Sequence, residues 1–120
     1  MFTVAINGFG RIGRNFFRAS YRNPEMKIVA INDVTDAATL AHLLKYDSVF
    51  GRFQEEVKAG EGWIEVAGQR VQVTAIRNPE ELPWKAVGVD VVLEATGLFT
   101  KRADAARHSK AGAKKAVISA

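Results

Sequence analysis

The stretch "NGFGRIGR", Asn7 to Arg14, decides how the rest of the sequence is read. It sets Gly8, Gly10 and Gly13 in a G-x-G-x-x-G pattern, which by itself marks only a tight turn. Its neighbours give it meaning. Upstream, "FTVAI" (Phe2 to Ile6) is a short β-rich apolar run stopping at Asn7-Gly8, as a buried strand does when it ends in a turn. Downstream, "RIGRNFFRASYR" sets Ile12 over Phe16 and Gly13 over Phe17 at i,i+4, with arginines on the other faces, and Asn23-Pro24 ends the helix. "KIVAIND" (Lys27 to Asp33) then reads as a second buried strand. It is followed by Thr35 or Asp36 as N-cap and "AATLAHLLKY" as a second amphipathic helix.

Strand, helix, strand, helix is the rhythm of a parallel sheet covered by helices through right-handed crossovers. The middle of the chain departs from it. "WIEVAGQRVQVTAI" holds two alternating runs, Trp63 to Val66 and Arg70 to Ile76, joined around Ala67-Gly68, so a β-hairpin is expected as an insertion over residues 63–76. Pro79 and Pro83 limit any helix in "RNPEELPW" to about a turn. Val89 to Glu94 returns as a buried strand, Thr100 opens a helix through about Ser109 that Gly112 closes, and Lys115 to Ala120 is a last strand. A chain ending on an uncovered strand predicts a fragment or an excised domain. The fold class expected is α/β: a Rossmann-type, doubly wound, mostly parallel sheet forming one domain over residues 1–120, with an inserted hairpin.

In that context each glycine has a task. Gly8 permits the sharp turn, Gly10 leaves no side chain between backbone and a bound pyrophosphate, and Gly13 lets the helix pack close to the strands. The free N–H groups of Arg11 and Ile12 at the helix start, with the positive end of its dipole, suit a dianion. Asp33 ends the second strand 20 residues after Gly13, where an acid receives the ribose hydroxyls of NAD. It also disfavours NADP. At an effective dielectric of about 20, a carboxylate about 4 Å from one phosphate charge is opposed by roughly 4 kcal/mol, less with screening.

Composition narrows the classes further. With 48% hydrophobic and 25% charged residues the chain is ordinary globular protein, and a domain of 120 residues buries roughly two-thirds of its unfolded surface. Its net charge of +4 is spread among acids along the chain, which argues for a solvated surface rather than a nucleic-acid face. Cysteine is absent, which excludes a disulfide, a thiolate metal site and a cysteine nucleophile within these residues. "MFTVAING" begins on an apolar run with no basic leader, so a cytoplasmic protein without membrane contact is expected. His42 and His108 lie in expected helices, away from the carboxyl ends of the strands, and read as surface or core residues. Glu94 sits in a buried strand without an acidic partner for a paired-carboxylate mechanism. Trp63 and Trp84 read as packing residues, and Arg14, one turn into the helix, as packing or surface charge.

Five blocks in order, "INGFGRIGR", "AINDVTDAATLAHLLKYDSVFGRF", "RNPEELPW", "LEATGLFT" and "GAKKAVISA", resemble the amino-terminal portion of phosphorylating glyceraldehyde-3-phosphate dehydrogenases. Only about Glu55 to Gly62 is nondescript. The resemblance implies NAD as cofactor and no metal. It places Arg11 and Ile12 at the pyrophosphate and Asp33 at the ribose, with Asn7, Gly8, Gly10 and Gly13 forming the turn beneath them. It further implies that Arg77 faces the adenine through its backbone, that Thr96 and Gly97 form the "ATG" turn across the switch point, that Phe99 flanks the adenine, and that Ser119 lies beside the nicotinamide half. Family members oxidise a phosphorylated aldehyde through a cysteine thiolate activated by a histidine, and they assemble as homotetramers. Both catalytic residues belong to a carboxyl-terminal domain that these 120 residues lack, so the chain alone is expected to bind NAD without turnover. Erythrose-4-phosphate dehydrogenase, and a stand-alone or engineered NAD-binding module, are the alternative readings.

Overall fold

A computed structural model describes residues 2–46, 55–76, 82–95, 108 and 111–118. Within them the chain runs β1 (Phe2–Asn7), α1 (Arg11–Ser20), β2 (Met26–Asn32), α2 (Ala37–Tyr46), β3 (Val57–Gly60), β4 (Trp63–Val66), β5 (Gln69–Thr74), α3 (Trp84–Val87), β6 (Val91–Glu94) and β7 (Lys115–Ile118). The strands form one sheet in the order β3-β4-β5-β2-β1-β6-β7. Strands β5, β2, β1, β6 and β7 run parallel to one another, while β3, β4 and β5 form an antiparallel meander.

The order explains where a ligand can sit. From β1 the chain moves outward to β2 on one side, and it later crosses back to lay β6 against the other side of β1. Connections therefore leave β1 and β6 in opposite directions, opening a crevice at their carboxyl ends. The pleat of β1 sends its side chains to two separate cores. Val4 and Ile6 join Phe9, Phe17 of α1 and Leu40 and Leu44 of α2 on one face. Ala5 joins Trp84 of α3, Leu82 and Val92 on the other. Ile28 and Ile31 share the first face although three residues apart. The β1–β2 register shifts between Val4 and Ala5, pairing Val4 with Ile28 but Ala5 with Ala30, and so absorbs the odd spacing.

Most expected elements occur within a residue or two of their expected bounds. The hairpin turns at Ala67 and Gly68, both at positive φ (53° and 81°), as a two-residue turn matched to strand twist requires. Helix α3 begins directly after Pro83 and ends at Gly88, whose φ of 77° is left-handed. Asp36 rather than Thr35 caps α2, its Oδ1 accepting the Thr39 N–H at 2.7 Å. Two features differ from the expectation. Strand β3 lies in the stretch read as nondescript; "VKAG" carries a single β-branched residue, and the strand is made by pairing with β4 across the Glu61-Gly62 turn. On α1 the buried stripe is Gly13, Arg14, Phe17 and Ser20, whereas Ile12 is 48% exposed, so its face points outward. Most of the helix expected over 100–109, like the "ATG" turn, lies outside the described residues.

Candidate functional site

The site grows from the carboxyl end of β1. The Asn7 carbonyl accepts the Ala95 N–H at 2.8 Å, and the Gly8 N–H donates to the Asn32 carbonyl at 2.8 Å, so the chain leaves the sheet tied to both neighbours. Gly8 then takes a φ of 96°, which a side chain would oppose. Phe9 turns inward, 1% exposed, and meets Phe17 edge-to-face at 6.0 Å between ring centres. Gly10 is extended, carries no side-chain cap and starts α1.

The first hydrogen bond of α1 runs from the Arg14 N–H to the Gly10 carbonyl at 2.9 Å. The N–H groups of Arg11, Ile12 and Gly13 therefore have no acceptor within the helix. Arg11 and Ile12 are exposed, and no acidic side chain occupies the first turn. The two inner glycines divide the work. A Cβ at Gly13 would stand 3.1 Å from Ile6 Cγ2 and closer still to the Gly8 carbonyl oxygen, so its absence lets helix and turn touch. A Cβ at Gly10 would meet no protein atom within 4 Å; the space over it is open to whatever the N–H groups bind.

Asp33 stands across this turn at the end of β2. Its Oδ2 accepts the Phe9 N–H at 2.7 Å and its Oδ1 the Thr35 N–H at 3.1 Å. Both bonds fix the carboxylate's orientation, and each oxygen keeps a further lone pair for a hydroxyl donor. Arg14 is buried, and its Nη1 donates to the Phe9 carbonyl at 3.0 Å, bracing the turn from behind. Arg18 ties α1 to α2 by donating through Nη2 to the Leu44 and Lys45 carbonyls at 2.6 and 3.2 Å. Burial, then the nearby Arg14 guanidinium, holds Arg18 below the usual arginine value.

Of the residues singled out from the sequence, Asn7, Gly8, Gly10, Arg11, Ile12, Gly13 and Asp33 converge at this corner. Arg77, Thr96, Gly97, Phe99 and Ser119 lie outside the described residues. What the residues fit is a dinucleotide: unpaired helix-start N–H groups for its phosphates, an open glycine for close approach, and an oriented carboxylate for a ribose. His42 is exposed on α2, and His108 is fully buried. Among the described residues no cluster of three His, Cys, Asp or Glu is arranged to hold a metal, and no helix is long and apolar enough to cross a membrane.

Sequence reading named Asn7 but missed the polar side chains that it meets beneath the turn. Glu94 is only 1% exposed, and its Oε1 lies 2.7 Å from Asn7 Nδ2 and 2.6 Å from His108 Nε2. Asn7 Oδ1 accepts from Asn32 Nδ2 at 2.8 Å. Asn32 also donates to the Ile76 carbonyl at 2.7 Å and accepts from Thr74 Oγ1 and the Ile76 N–H at 2.7 and 2.9 Å, which uses all four of its amide's bonds. The only signal in the sequence was an asparagine ending each of two adjacent strands, Asn7 on β1 and Asn32 on β2.

Comparison with known proteins agrees with this geometry. Residues 2–102 match the family profile described as glyceraldehyde 3-phosphate dehydrogenase, NAD binding domain. The chain is 60% identical over 117 residues to glyceraldehyde-3-phosphate dehydrogenase of Geobacillus stearothermophilus, covering 98% of this chain and 35% of that protein. It is 57% identical over 117 residues to glyceraldehyde-3-phosphate dehydrogenase 1 of Bacillus subtilis, again 98% and 35%, and 58% identical over 120 residues to the Pseudomonas aeruginosa enzyme, 98% and 36%. The chain thus spans about a third of the length of the curated relatives it matches. It belongs to the family of glyceraldehyde 3-phosphate dehydrogenase NAD-binding domains.

Proposed function

We propose that these 120 residues are the cofactor-holding part of a phosphorylating glyceraldehyde-3-phosphate dehydrogenase, a cytoplasmic homotetramer in its full length. The observation that carries the reading is the pairing of a bare helix start over Gly10 with the latched Asp33 carboxylate. NAD, when bound, supplies the hydride acceptor for aldehyde oxidation. The chain's own part is to bind and orient it: Arg11 and Ile12 through backbone N–H groups at the pyrophosphate, Asp33 at the adenosine ribose, and Asn7, Gly8, Gly10 and Gly13 by shaping the turn. Arg77, Thr96, Gly97, Phe99 and Ser119 complete the proposed contacts. The nucleophile that attacks a phosphorylated aldehyde must come from outside these residues, since they contain no cysteine.

Titration of the chain with NAD and NADP tests the binding half of this reading. NAD should bind more tightly, by a factor of roughly hundreds if one phosphate charge meets Asp33 across a surface dielectric. Asp33→Ala should weaken NAD and erase most of that preference. Equal binding of the two by the unmodified chain would refute the assignment of Asp33. For the catalytic half, full-length protein should form NADH only with both aldehyde and inorganic phosphate present. Formation without phosphate would refute the phosphorylating reaction.

A further inference from the structure

Four polar side chains from adjacent strands meet under the glycine turn: Thr74 of β5, Asn32 of β2, Asn7 of β1 and Glu94 of β6. They are joined in one direction. The Trp84 Nε1–H can only donate, and it lies 3.0 Å from His108 Nδ1, so that nitrogen carries a lone pair and the imidazole's proton sits on Nε2. His108 therefore donates to Glu94 Oε1, which also receives the Asn7 amide. Contacts of 2.6 and 2.7 Å from two N–H donors to one oxygen are those of a carboxylate acceptor. With its Nδ2 committed to Glu94, Asn7 must turn its oxygen to the Asn32 amide nitrogen, while Asn32 turns its own oxygen to Thr74 and the Ile76 N–H. Glu94 thus sets which way the Asn7 amide faces, in register with Asn32, whose own amide the Ile76 N–H and carbonyl hold in the matching sense.

The row ends where the site begins. Asn7 is followed by Gly8, whose N–H is held by the Asn32 carbonyl, and Asn32 is followed by Asp33, whose carboxylate holds the Phe9 N–H. We propose that Glu94, oriented by His108, is a positioning residue for NAD: through Asn7 and Asn32 it holds the glycine turn and Asp33 in their binding geometry before the cofactor arrives. Glu94 is 1% exposed, so its role is exerted through Asn7. Its buried carboxylate fixes the Asn7 amide at a cost in desolvation that a merely packed strand end would not carry. The inference rests on the turn being the NAD site.

The test uses full-length protein, NAD binding measured on folded samples, and thermal unfolding measured in parallel. Asn7→Asp sets two carboxylates against each other. At low pH a shared proton bridges them, and at high pH they repel. NAD affinity of this variant should approach that of the unmodified protein near pH 6 and fall roughly tenfold by about pH 8.5, while the unmodified protein stays flat. Adding Glu94→Gln removes one of the two facing charges and should abolish the pH dependence, but its amide nitrogen cannot donate to the introduced carboxylate without meeting the His108 Nε2–H, so it should recover only part of the loss. A direct contact between residue 7 and NAD would not be rescued in this way. A role confined to folding would lower Tm and leave affinity of the folded protein unchanged, and that result overturns the proposal, as does a double variant no better than Asn7→Asp. Should Asn7→Asp not fold, Glu94→Gln alone decides. A few-fold weaker NAD binding supports the proposal, and unchanged binding overturns it. Failure of the unmodified protein to bind NAD would instead sink the site reading itself, and the proposal with it.

Discussion

Gly10 and Gly13 are three residues apart in one turn, yet replacing each by alanine should separate stability from binding. At Gly13 the new Cβ stands 3.1 Å from Ile6 Cγ2 and 3.4 Å from the Gly8 carbonyl carbon, with the Gly8 oxygen nearer still. Ordinary contact between carbon atoms lies at about 3.5–4.0 Å, so α1 must lift off the turn by several tenths of an ångström or more. Overpacking of this kind costs about 1–3 kcal/mol, and the better helix propensity of alanine returns up to about 1 kcal/mol. A net loss of about 1–2 kcal/mol lowers Tm by about 3–8 °C in a domain of this size. The same lift moves the N–H groups of Arg11 and Ile12, so NAD binding should weaken as well. At Gly10 the new Cβ meets no protein atom within 4 Å, and the backbone, at φ −77°, is one that alanine adopts without strain. The small loss of a glycine N-cap and the reduced entropy of the unfolded chain nearly cancel, leaving Tm within about 2 °C. The methyl group then fills the space over the helix start, and NAD affinity should fall by at least about tenfold. Scanning fluorimetry without NAD and calorimetric titration with it separate the two effects. A Gly10→Ala protein that binds NAD normally, or that loses as much stability as Gly13→Ala, refutes the division of labour between the two glycines.

Two further outcomes follow from contacts away from the turn. Arg18→Met removes the guanidinium that caps the Leu44 and Lys45 carbonyls at the end of α2, and should cost about 1–2 kcal/mol with NAD affinity unchanged; an unaltered Tm would show that water replaces it without loss. Asp90 is held below its ordinary value of 3.8, first by the Thr3 N–H and then by Lys114, and Asp36 likewise by the Thr39 N–H. A depressed folded-state value means stability that is complete above the unfolded value and lost as pH falls through the folded one. Tm should therefore decline from about pH 4 downward, and Asp90→Asn should flatten that decline; an identical acid limb in the variant would remove Asp90 from the explanation.

The parallel core and the glycine turn were legible because local chemistry dictates them. "FTVAI" and "KIVAIND" are apolar on both faces, as strands between two helical layers must be. Three glycines and an acid at the right spacing then point to one corner of the sheet. Glu94 and His108 were not legible, since their partners are 87 and 14 residues away in sequence, and a buried carboxylate has no periodicity. Strand β3 was missed for a related reason: "VKAG" has little β preference of its own and takes its conformation from β4.

What the sequence determined by itself, then, is the fold class, the position of the glycine turn, and the acid that faces it, all consequences of backbone freedom and side-chain periodicity within some thirty residues. Tertiary structure alone decided that Gly13 touches Gly8 while Gly10 touches nothing, that Ile12 faces outward, and that Asn7 and Asn32 are tied to a buried Glu94. Those are facts about which strand ends become neighbours. They depend on the crossover that lays β6 beside β1, and no local pattern of residues contains it.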